Sequence, residues 1–210
     1  MIFRTLSTMV TGLVALAAAG QVTPQSAFTS APQKIVATIN QNDRLDLLDY
    51  HNEGIAKTLV TSLGDSAKII STTPSTITFS EGEGSTTTFA VLPWKKEQLI
   101  MVITTLETPE ADSQVRFYTH KWTDVTGQRL PEVTLDQWLK PSAKKEIDQW
   151  HRLVKFLTVE ATFNPETLIL TLTPTPGNYI DRDELDNVKE MLSAPKQFKW
   201  TGSKFQPIAQ

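Results

Sequence analysis

From residue 57 to residue 122 the chain alternates between apolar and polar positions, run after run. KTLVTSL (57–63), AKIIST (67–72), STITFSE (75–81), STTTFAVLP (85–93), QLIMVITTLE (98–107) and SQVRFYTHKW (113–122) all read with period two. That is the period of a strand with one face buried. The joints are short and made of turn residues: Gly64-Asp65, Gly82-Glu83-Gly84 and Trp94-Lys95-Lys96-Glu97. Parallel neighbours need long crossovers, so tight joints predict an antiparallel meander. In the last run Val115, Phe117 and Thr119 fall on one face, and Arg116, Tyr118 and His120 on the other.

Helical spacing brackets the strands. SAPQKIVATIN opens with Ser30 and has Gln33 three residues on, a capping-box pattern, with Ile35, Val36 and Ile39 behind it. NDRLDLLDYHNEG predicts a second helix capped by Asn42 or Asp43 and closed by Gly54, so a helical hairpin precedes the sheet. TDVTGQRLPEVTLDQWLKPS (123–142) is a connection with a short helical turn at TLDQWL. A helix over SAKKEIDQWHRLV follows, with Ser142 as its cap. Strands FLTVEATFN and TLILTLTPT pair through Asn164-Pro165-Glu166, DRDELDNVKEML is a helix capped by Asp181, and FKWTGSKFQPI is a hairpin turning at Thr201-Gly202. The expected class is α+β: a helical hairpin, an antiparallel meander, then helix-strand-strand-helix-hairpin.

The amino terminus has a different character. MIFR carries one charge, LSTMVTGLVALAAA carries none, and Ala17-Ala18-Ala19-Gly20 is the small-residue pattern that signal peptidase reads. Residues 1–20 are expected to be a secretory signal peptide, since the apolar run is shorter than a spanning helix needs. Residues 21–29 read as a polar leader. Residues 30–210 read as a single domain, with 123–141 the place where it would subdivide. Without Arg4 the chain holds 19 basic residues (20 less one) against 23 acidic ones, and it has no Cys. A charge of −4 without a basic cluster speaks against a nucleic-acid surface. The absence of Cys removes disulfides, thiolate metal sites and lipid attachment through Cys. The chain has 29 Thr, concentrated in the strands, which suits a sheet with one solvated face.

Candidate chemistry is sparse. His51, His120 and His151 share no metal-ligand spacing. Ser142 and Lys145 match S-x-x-K by spacing alone. Asp181, Asp183 and Asp186 miss the calcium-loop frame, because Leu185 and Asp186 stand where an oxygen ligand and Gly are needed. Asp43, Asp46 and Asp49 line one side of the second helix, extended by Glu53. A solvated face explains them; a cation or a basic partner would also relieve their repulsion, as would Arg44 and Lys57. In TPEADSQVRFY, Asp112-Ser113 read as turn formers whose oxygens accept N–H groups at the start of the next strand. The competing reading makes the loop an active site.

Several of these stretches together resemble a family of exported proteins from Bacteroidales that bears a domain-of-unknown-function label. The resemblance rests on RLDLLDY (Arg44 to Tyr50), Leu63-Gly64, Leu92-Pro93, and PEADSQVRFY (Pro109 to Tyr118) ahead of Trp122. It covers about Ala27 to Trp122. Thr108 stands where members often carry Cys. The resemblance implies export and no particular activity. The expected role is a non-enzymatic binding or structural module of the cell envelope, in the periplasm or on the outer surface. Its partner would be another envelope protein, with no nucleic acid, cofactor or metal. Asp46, Asp49, Tyr50, Asp112 and Ser113 are the candidate binding residues. The alternative is a hydrolase or metal-dependent enzyme built on the acidic helix face, His51 and the Asp112-Ser113 loop.

Overall fold

The computed structural model describes residues 21–107 and 109–208. The expected signal peptide and Thr108 lie outside them. The architecture is α+β, with two antiparallel sheets. The first sheet is the meander: β1 (Leu59–Val60), β2 (Ser66–Thr72), β3 (Thr76–Gly82), β4 (Ser85–Trp94), β5 (Glu97–Leu106) and β6 (Asp112–Thr119), in that spatial order. The second has the order β10-β9-β8-β7, from β7 (Val159–Asn164), β8 (Ile169–Pro174), β9 (Lys196–Trp200) and β10 (Phe205–Pro207).

Period-two patterning located the six strands, although the 57–63 run shortens to Leu59–Val60 and the last strand ends at Thr119, because the strands of the first sheet have two different faces to satisfy. Ile77, Phe79, Phe89, Ile100 and Val102 point to one side and pack under the amino-terminal helices. Ala90, Leu92, Leu99, Met101 and Phe117 point to the other, into a core shared with Trp138, Trp150, Leu170, Phe198, Trp200 and Phe205 of the carboxy-terminal half. The first sheet is therefore the middle layer, and the two cores lie on its opposite faces.

The helices depart from expectation in instructive ways. The first helix, α1 (Pro24–Ser30), occupies the stretch read as a leader. Thr23 accepts from the Ser26 N–H, Ser26 Oγ accepts from the Thr23 N–H, and Pro24 sits at N1. That is a complete capping box seven residues upstream of the one predicted at Ser30. The segment from Ser30 forms no helix: residues 31–40 run as turns, with the Ile35 and Val36 N–H groups bonding the Pro32 carbonyl. Ile35, Val36, Thr38 and Ile39 are β-branched, which disfavours helix. Val36 and Ile39 are buried all the same, so burial alone produced the misleading period.

α2 (Gln41–Asn52) is capped by Asn40, whose side chain accepts from the Asp43 N–H, and Gly54 follows it with φ +71°. The α1 and α2 helices pack together, but α1 is not the helix expected from Ser30, and residues 31–40 separate the two in place of the short joint expected. Beyond the sheet, the turn at Leu135–Trp138 is 3-10, and Pro141–Glu146 is 3-10 before α3 (Ile147–Leu153) begins. Lys140, not Ser142, is the cap position there, and no side chain caps it. The last helix, α4 (Leu185–Met191), starts after Glu184 without a side-chain cap, so Asp181 lies outside it.

Candidate functional site

Residues 109–113, the end of the joint from β5 and the first two residues of β6, lie against the second sheet; Asp112 and Ser113, expected in the loop, are already paired with Leu106 and Thr105 of β5. Asp112 Oδ1 accepts from the Val159 N–H at 3.0 Å, and Ser113 Oγ accepts from the Ala161 N–H at 2.9 Å. These two donors are alternate groups along the outer edge of β7. Glu110 Oε1 accepts from the Asn178 N–H at 2.9 Å, and Thr175 Oγ1 donates to the Ala111 carbonyl at 2.6 Å. Ser113 Oγ also lies 2.8 Å from Thr105 Oγ1, a hydroxyl buried on β5. A Cβ at position 177 would come within 1.9 Å of Glu110 Oε1, so Gly177 lets the loop close on its neighbour. The loop is thus a clasp that joins the two sheets. Its acceptors satisfy strand-edge donors that would otherwise be left open. The expectation that Asp112 would serve the strand it begins is corrected: its partner is 47 residues further on.

Several other residues of the stretches that carry the resemblance hold the fold together, though Leu63 is exposed. Arg44 is 1% exposed and points inward. Its guanidinium donates to the carbonyls of Ile39 at 3.1 Å and Ala31 at 2.5 Å. Burial lowers its pKa, partly countered by Glu81. Glu81 itself bonds Thr38 at 2.5 Å and Thr87 at 2.7 Å. Arg44 therefore does not offset the helix-face acids, and Lys57 lies over the Tyr50 ring at 4.6 Å. Leu92 is buried, Pro93 accepts from Trp200 Nε1 at 2.7 Å, and Trp122 packs on Phe89 and Tyr118.

Asp46 and Asp49 are exposed on α2, and Tyr50 is half-buried. The structure does not bring them to Asp112 and Ser113. His51 at the end of α2 bonds Thr72 on β2 at 3.1 Å, whereas Asp112 is on β6. Four strand steps separate these positions, roughly 19 Å at about 4.8 Å per step. They are also offset along the strands: Thr72 registers through Ile77, Phe89 and Val102 with Arg116, four residues past Asp112. His151 pairs with Asp136 at 2.5 Å, both exposed, and His120 is exposed. Among the described residues no three His, Asp or Glu are grouped to hold a metal ion.

Two concave surfaces went unread in the sequence. One is a cleft of about 640 Å³ between the 131–144 connection and β9 and β10, lined by Val133, Leu139, Pro141, Phe198 and Pro207 with polar residues at its rim. The other is a cleft of about 300 Å³ beside β5 and β6, lined by Lys34, Ile35, Val102, Thr104, Gln114, Arg116, Tyr118 and Asp124. The alternation on β6 placed Arg116 and Tyr118 on one face, which Gln114 shares. Lys34 and Asp124 arrive from segments that carry no periodic signal.

The fold is that of an α+β protein of two clasped antiparallel sheets. The chain belongs to the family described as Protein of unknown function (DUF3256), whose model matches residues 17–205. Among solved structures it is similar to a domain of an uncharacterized protein from Porphyromonas gingivalis W83, with a TM-score of 0.76. The identity is 18%, over 89% of this chain and 98% of that one, a likeness of fold. No curated protein matches the chain. Among the described residues no helix is long and apolar enough to cross a membrane.

Proposed function

We propose that the chain is an exported, non-enzymatic binding or structural module of the bacterial cell envelope, working in the periplasm or on the outer surface. One observation carries this reading. The segment richest in candidate catalytic groups spends its side chains on backbone N–H groups, those of Val159 and Ala161 on β7 and of Asn178 beyond β8, and Asp46 and Asp49, without a described partner, lie on an open helix face. Such a face suits contact with a basic surface of another envelope protein. Fold likeness to an uncharacterized domain adds no activity.

Cross-linked affinity capture from the native envelope tests the reading, with wild type beside Asp46→Ala/Asp49→Ala. A partner retained by wild type and lost by the variant, with unchanged melting, is the expected result. Substrate turnover by the purified chain, or capture of no partner by either bait, contradicts it. Cell fractionation tests the export half. The account expects the chain in the envelope fraction without residues 1–20, and full-length chain in the cytoplasm would oppose it.

A further inference from the structure

The cleft beside β5 and β6 has a chemical character of its own, independent of any protein partner. Two cations, Lys34 and Arg116, line it against a single carboxylate, Asp124. The guanidinium is already positioned: Arg116 Nε donates to Gln114 Oε1 at 2.8 Å and Nη1 lies 3.4 Å from Asp124 Oδ2. Asp124 is in turn fixed by accepting from the Thr126 N–H at 2.8 Å. A fork held in place before a ligand arrives loses less freedom on binding. Lys34 has no described hydrogen bond or ion pair, so its charge is uncommitted. Tyr118 is 6% exposed, yet it contributes to the lining. The Thr104 hydroxyl and the Gln114 amide supply further donors. Only Asp124 opposes a negative ligand, and its pairing with Arg116, both about half exposed, is the weak surface kind.

We infer that this cleft binds a small organic anion: one carboxylate between Lys34 and Arg116, with a short aliphatic body against Ile35 and Val102. The volume of about 300 Å³ lies at the lower end of ligand pockets, which fits a few carbons rather than a polymer. The preference for carboxylate over inorganic phosphate follows from the apolar part of the lining, Ile35 and Val102. The two apolar side chains give an aliphatic body a place that phosphate cannot use.

The test is an amide-shift titration of the purified full chain with sodium butyrate, inorganic phosphate and butylammonium, run on wild type, Arg116→Gln and Lys34→Gln. Both substituted residues are exposed, so the fold should persist, and circular dichroism checks that it does. Expected are saturable butyrate shifts at Thr104, Gln114 and Tyr118. They should need at least tenfold more butyrate in Arg116→Gln and several-fold more in Lys34→Gln, with butylammonium silent. Absence of saturation with butyrate, or equal saturation in both folded variants, overturns the site. Saturation by phosphate without butyrate overturns the carboxylate class.

Discussion

Two acidic stretches of this chain look alike on paper and are used in opposite ways. On α2, in RLDLLDY, the basic residue goes inside: Arg44 is buried and bonds backbone carbonyls, and Asp46 and Asp49 stay in solvent without a described partner. At residues 109–113 the acids themselves are engaged, Asp112 accepting the Val159 N–H of β7 and Glu110 the Asn178 N–H in the connection after β8. The same carboxylate chemistry is free for an outside partner in one place and part of the scaffold in the other. What separates the two cases is whether open backbone donors lie opposite the acid. A solvated helix face offers none, because its N–H groups are bonded within the helix. A strand edge such as that of β7 offers one every second residue.

The largest effect expected from breaking this comparison is at Arg44. Arg44→Ala leaves the carbonyls of Ala31 and Ile39 unserved beneath α2, at a cost of about 3 kcal/mol; urea denaturation would read it. Next comes the clasp. Ser113→Ala strands the Ala161 N–H, and about 1–2 kcal/mol should be lost. Gly177→Ala must push Glu110 away from Asn178 and should cost about 1 kcal/mol. With Glu110 already shortened by Glu110→Ala, the same glycine change should cost much less, which a double-mutant cycle measures.

The smallest effect concerns pH. Hydrogen bonds from Thr126, aided by Arg116, lower the pKa of Asp124 below the ordinary carboxylate range. A depressed folded value means that its contribution is full above the unfolded value, near pH 4, and fades as pH falls through the folded one. Melting curves of Asp124→Asn should therefore fall less steeply below about pH 4 than those of wild type.

Much of this was legible in the sequence, and the limits have physical reasons. The six-stranded meander could be read because each of its strands separates two environments, so side-chain period and burial agree. The same logic failed at Ser30, where Val36 and Ile39 are buried by turns rather than by a helix. Thr23-Pro24-Gln25-Ser26 held the true helix start, and its Pro at the first position was the available signal. Asp112 and Ser113 were legible as turn formers and as candidate binding residues, yet their partners on β7 lie beyond any local pattern. The clasp shares that obscurity with the carboxylate cleft, whose Lys34, Thr104 and Asp124 meet only through tertiary folding.

The central claim is that the loop acids hold the molecule together and the helix acids do not. Thermal unfolding of Asp112→Ala/Ser113→Ala beside Asp46→Ala/Asp49→Ala tests it most directly. The account predicts a loss of about 2–3 kcal/mol for the first pair, a fall in Tm of roughly 5–10 °C for a domain of this size, and a change within about 0.5 kcal/mol for the second. Wild-type melting of the loop variant, or destabilisation confined to the helix variant, would contradict it.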